Sequence, residues 1–93
     1  MKGRSVLTDD IDHCIECGRD RIAMHHVFFG PNRKVSEEDG YVIPLCHYHH
    51  NGSNEAIHFN RELDLKWKRI AQKHFERLNS RQTFIRRYGK SYL

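Results

Sequence analysis

The chain has no long apolar run. The longest, such as Val42–Cys46, is a handful of residues, so no membrane span is expected. The first twelve residues, MKGRSVLTDDID, carry no apolar signal core, so secretion is not expected and a cytoplasmic setting is. Cysteine is scarce and odd in number, at three, which argues against a disulfide framework. Hydrophobic residues are only 38% of the 93. A chain this short forms one domain at most and buries about 60–65% of its unfolded surface, so its core is thin and gains from a metal or a partner.

Histidine is abundant instead. Seven of the eight fall between His13 and His58, interleaved with the cysteines, and that mixture points to metal. The net charge of +4 hides a split. Residues 1–60 carry six Lys/Arg against nine Asp/Glu, and residues 61–93 carry ten against three. The basic third is either a polyanion-facing surface or a solvated helix face.

Along the chain, residues 1–12 read as a polar lead-in, 13–60 as a metal-bound core and 61–93 as a basic helical extension. HCIECGRD (13–20) has the form of a zinc knuckle. RIAMHHVFF (21–29) and YVIPL (41–45) read as two short strands, with Pro44 at a strand edge or end because it cannot donate to a ladder. GPNRK is turn punctuation, and VSEEDG continues the connection, its Glu37-Glu38-Asp39 run read as a solvated loop. A helix starts near Cys46. Phe59, Leu63, Trp67, Ile70, His74 and Leu78 recur at steps of three and four, which predicts an amphipathic helix of about five turns. Trp67, Phe75 and His74 are read as core or boundary residues. Glu62–Lys66 and Asp64–Lys68 are expected i,i+4 pairs. Ser80 caps a short last helix that ends at Gly89.

Cys14 and Cys17 form one pair, and Cys46 and His49 a second at the same spacing. Together they make a Cys₃His set suited to a structural, tetrahedral Zn²⁺ that closes the intervening segment as a loop. Four protein ligands leave no open position for chemistry there. His25, His26 and His50 remain. Neighbours on a strand face opposite sides, and neighbours on a helix point about 100° apart. One member of each adjacent pair can therefore bind a second metal while the other does something else. His13, beside Cys14, is read as a surface residue or one packed behind a ligand.

C-x-x-C, the HHV triplet at 25–27, PLC at 44–46 and His49-His50 together resemble the HNH endonucleases, the ββα-metal nucleases, over residues 14–60. The whole chain looks like small phage or prophage HNH proteins, and the His-His form is most similar to the colicin-type nucleases. The resemblance implies an α+β fold: a zinc-stapled ββα-metal core, then a long amphipathic C-terminal helix and a short last helix. It implies that His26 is the general base and that His25 and His50 hold a catalytic Mg²⁺, Mn²⁺ or Ni²⁺. The family's intervals agree, with fifteen residues from the base to a central Asn and nine more to the helix His. Here Tyr41 occupies the place of that Asn, which in the family holds the loop that orients the base. Tyr41, through backbone or hydroxyl, or Asn32, from the turn, is the candidate substitute.

The third ligand is open between His58 and Asn54, with His47 behind them. Asn54 lies one helical turn past His50. His58 lies eight residues past it, about 12 Å along a straight helix, and reaches the metal only if Asn51–Asn54 breaks the helix. The implied activity is DNA phosphodiester hydrolysis, on double strands, with Arg69, Lys73, Arg77, Arg81, Arg86, Arg87 and Lys90 holding phosphates. A homodimer or a phage protein is the expected partner. The alternative is a zinc-stapled nucleic-acid-binding or recombination-accessory module that does not cut.

Overall fold

A computed structural model describes residues 5–93, and the first four residues of the expected lead-in lie outside the described residues. The protein is a small α+β domain. Strand β1 (Ile22–His26) pairs antiparallel with β2 (Val42–Cys46), joined by a 3-10 turn (Gly30–Asn32) and a short helix α1 (Arg33–Glu38). A single-turn helix α2 (His47–His50) follows β2 directly, then turns through 51–59, then α3 (Arg61–Phe75) and α4 (Arg81–Tyr88).

The β1–β2 register sets His25 opposite Ile43 and His26 opposite Val42. Both strands of a two-stranded sheet are edges, so Pro44 is tolerated mid-strand. Its carbonyl points away from β1 and accepts from Ile15 N at 2.9 Å, tying the cysteine knuckle to the sheet. The lead-in is tied too, for Val6 N donates to Gly40 O at 3.0 Å.

Residues 33–38 are helical rather than the continued connection expected from VSEEDG. The fold holds this helix through Ser36, whose buried hydroxyl donates to Tyr41 O (2.6 Å) and accepts from Phe28 N (3.2 Å). No apolar period announces so short a helix, because its anchoring residue is polar.

The long helix runs 15 residues, shorter than the expected five turns, and its buried stripe has a different phase. Trp67, Ala71 and Phe75 are buried as their spacing implies, but so are Lys68 and Gln72, while Phe59, Ile70 and Leu78 are exposed. The C-terminal residues fold back and decide this. Gln72 donates to Ser91 Oγ (3.0 Å) and accepts from Tyr92 N (2.8 Å). Lys68 Nζ bonds Asp64 at 2.8 Å and lies over the rings of Phe29 and Tyr92, at 4.3 and 5.4 Å. Lys66 turns to Glu16 at 2.9 Å instead of Glu62.

The last helix follows its sequence signals. Ser80 accepts from Thr83 N, and Gly89 caps the end at φ 95, a left-handed value that costs glycine least. Its Phe84 and Tyr88 stack at 4.6 Å and pack on Phe28, forming an aromatic core with Phe75 and Tyr41. Among the described residues no helix is long and apolar enough to cross a membrane.

Candidate metal centres

The knuckle brings the first cysteine pair to the end of β2. Gly18, at φ 82, closes the turn with Gly18 N donating to Cys14 O (2.8 Å), and Cys14 N reaches Arg19 O (2.7 Å). α2 begins directly after Cys46, so His49 swings back over the same point. Cys14 Sγ lies 3.7 Å from His49 Nδ1, Cys17 Sγ 3.6 Å from Cys46 Sγ, and Cys46 Sγ 3.4 Å from His49 Nδ1. All four donor atoms lie within 4.8 Å of one another.

Around a tetrahedral zinc, two sulfurs stand about 3.8 Å apart, and sulfur and nitrogen about 3.6 Å. The observed spacings match these and are far longer than the about 2.05 Å of a disulfide. All three cysteines are free. The cluster can hold a metal such as zinc. Burial pushes the Cys46 thiol up, but hydrogen bonds from the His49 backbone and ring, from Cys17 and from Arg19 outweigh it and hold the group at about 6. A thiolate close to neutral pH is the form a metal needs.

A second cluster joins His25, His50 and His58, again with donor atoms within 4.8 Å. Their ring centroids are 5.3 Å (His25–His50), 5.1 Å (His25–His58) and 4.9 Å (His50–His58) apart. His50 Nε2 and His58 Nε2 face each other at 3.3 Å, close to the about 3.4 Å expected of two nitrogens on one tetrahedral ion. His25 Nε2 is buried with no hydrogen-bond partner, an orphan that a metal would satisfy. Burial, with His58 and His50 next in effect, depresses the His25 ring to about 3, and burial also lowers His50. Both imidazoles are therefore neutral, the ligating form.

His58 reaches the cluster because α2 stops at His50 and the chain turns back, with Ile57 N donating to His49 O at 2.7 Å. Asn54 is exposed in that turn and does not line the cleft, and His47 is exposed.

His25 and His26 diverge as neighbours on a strand should, yet both border one open cleft of about 210 Å³ at the end of β1, with Met24, Phe29, Arg33, His50 and His58. His26 turns toward α1. Its Nε2 lies 2.7 Å from Glu37 Oε1, and Arg33 Nε donates to its Nδ1 at 3.4 Å. A carboxylate only accepts, so Nε2 carries the proton and Nδ1 the lone pair. The His26 bond holds the Glu37 carboxyl below its usual range. Glu37 is thus a hydrogen-bond partner of His26 and not a bystander in a solvated loop. Glu38 and Asp39 are also engaged, with Arg87. Arg33 and Glu37 were not visible as site residues in the sequence. Their four-residue spacing places them on one face only if 33–38 is read as a helix.

Tyr41 does not enter the cleft through its side chain. Its hydroxyl pairs with His74 Nδ1 at 3.0 Å, and burial pushes its pKa up to about 12. Its carbonyl, however, accepts from Val27 N at 3.0 Å, fixing the backbone next to His26. Asn32 bonds Tyr88 O instead of the site. His13 pairs with Asp10 on the surface.

The basic extension is partly self-satisfied. Arg87 binds Asp39 at 2.7 and 2.8 Å and Glu38 at 3.2 Å, Arg81 binds Glu76 at 3.0 Å, and Arg69 donates to Tyr92 O at 3.0 Å. Arg86 donates to Thr83 Oγ1 and Lys90 lies over Tyr92, whereas Lys73 and Arg77 are exposed.

No family model, no curated protein and no solved structure matches the chain.

Proposed function

We propose that this chain is a metal-dependent endonuclease of the HNH, ββα-metal type that hydrolyses DNA phosphodiester bonds. The observation that carries the proposal is the cleft. Three imidazoles converge there on a point that a divalent ion fits, and a fourth, His26, stands beside them with a carboxylate on one nitrogen and a lone pair on the other. Zinc at the Cys₃His cluster is the proposed structural staple, separate from this cleft.

His25, His50 and His58 would hold the catalytic ion, which would supply positive charge to the phosphodiester oxygens as charge builds in the transition state. His26 takes a proton at Nδ1 from the attacking water. Imidazole is the side chain most often used as a general base. Glu37 fixes the ring by accepting from Nε2 and stabilises the imidazolium that forms. The water oxygen bonds to phosphorus, the bond from phosphorus to the 3′ oxygen breaks, and that oxygen is protonated from solvent. The Tyr41 carbonyl, not its hydroxyl, does the work of positioning the base-bearing backbone.

A zinc-stapled binding or recombination-accessory module that does not cut is the second reading. The turning of the Tyr41 hydroxyl toward His74, away from the cleft, favours it. The deciding experiment is supercoiled-plasmid cleavage by the zinc-loaded protein with added Mg²⁺, Mn²⁺ or Ni²⁺, beside His26→Ala. Nicking that needs the added ion and falls by about 10²–10⁴-fold in the variant supports the nuclease. Salt-sensitive DNA retention without cutting under any ion supports the binding module.

A further inference from the structure

Beside the histidine cleft, on α1, lies a second open concavity of about 520 Å³ lined by Gly30, Pro31, Arg33, Lys34 and Glu37. Arg33 borders both, so the two concavities are neighbours across its side chain. Arg33 and Lys34 are exposed, and among the described residues neither makes an ion pair with a carboxylate. Arg87 and Arg81, in the basic C-terminal third, do. Lys73, Arg77, Arg86 and Lys90 also lack a carboxylate partner among the described residues, but they line neither the concavity nor the cleft, so the cations best placed there are on α1. Arg33 also has a particular relation to His26. Its Nε sits on Nδ1, the one ring atom able to accept a proton, at the long distance of 3.4 Å.

We propose that this concavity binds the phosphate next to the one being cleaved, with Lys34 as a point charge and Arg33 moving onto it from the His26 ring. A phosphate oxygen is a stronger partner for a guanidinium than a neutral imidazole nitrogen at 3.4 Å. The move leaves Nδ1 uncovered when, and only when, a nucleic-acid backbone occupies the groove. Arg33 is thus both a phosphate contact and the cover of the base. The proposal rests on the nuclease reading for the identity of its ligand.

The test measures binding of a short fluorescent DNA duplex to the zinc-loaded full chain, without added divalent ion, across a range of salt. Arg33→Ala and Lys34→Ala should each weaken binding about tenfold at low salt and flatten the plot of log Kd against log salt by about one unit. Arg33→Lys should keep the wild-type slope, because the charge remains. Both sites are exposed, and circular dichroism melting verifies that each variant is folded.

Unchanged slopes in both folded alanine variants overturn the subsite, whether or not the wild type cuts plasmid. Flattened slopes in a protein that does not cut with any added ion uphold phosphate binding at this concavity and sink the nuclease reading. A wild type that does not bind the duplex at all overturns both.

Discussion

Removing the metal from the Cys₃His cluster should unfold much of this protein, and the size of the effect follows from the chain between the ligand pairs. A metal at this cluster would join Cys14 and Cys17 to Cys46 and His49, closing a loop of about thirty residues that contains both strands and α1. By the loop-entropy relation for a cross-link, releasing such a loop costs about 4 kcal/mol. A domain of this length has a total stability of roughly 5–14 kcal/mol. Loss of the staple therefore removes a large share of the whole, before the buried Cys14 and Cys46 thiols are counted. The single tryptophan reports on the same event, since Trp67 Nε1 donates at 2.7 Å to Glu16, which lies between Cys14 and Cys17. Zinc chelation, or Cys17→Ser, should lower the thermal midpoint by about 20 °C and shift Trp67 emission in the same transition. Stripped protein that melts within a few degrees of the loaded form, with unchanged emission, would refute the staple.

The cleft and the basic extension give three further expectations. His25 is depressed to about 3, against 6.5 when exposed, so the unfolded chain takes up a proton that the native chain refuses. That contribution is complete above pH 6.5 and falls as pH drops toward 3, by about 2 kcal/mol between pH 7 and 5. Urea unfolding should show this acid slope in the wild type and a much shallower one in His25→Leu, where only the smaller contribution of the also-lowered His50 remains. Glu37→Gln should lower plasmid-cleavage kcat about tenfold, since Glu37 orients His26; an unchanged kcat removes that role. Arg87→Ala should cost about 1 kcal/mol in urea, because its bonds to Asp39 and Glu38 pin α4 to the end of α1 at a half-exposed site. It should leave the salt dependence of DNA binding as in the wild type, whereas a flattened slope would return Arg87 to the phosphate-binding surface.

Short-range chemistry was legible in the sequence. The two C-x-x-[CH] pairs announced a four-ligand cluster, because ligand spacing within a knuckle or one helical turn is local geometry. The strands, the Ser80 cap and the Gly89 stop were legible for the same reason. Alternation along β1 also separated His25 from His26 correctly.

What needed tertiary structure was every contact between segments distant in sequence. His58 joins His25 and His50 because α2 ends after one turn and the chain doubles back, and a helical ruler places it out of reach. Lys68 and Gln72 are buried because the C-terminal residues supply aromatic rings and hydrogen bonds to receive them, which the helix's own periodicity does not record. Glu37 and Arg33 flank His26 because Ser36 anchors α1 against the end of the sheet. The sequence alone determined the two local pairs of the Cys₃His cluster and where the last helix starts and stops, for these depend on residue type and near neighbours. The tertiary structure decided which histidines meet and which charges are already matched, for these depend on how distant segments pack.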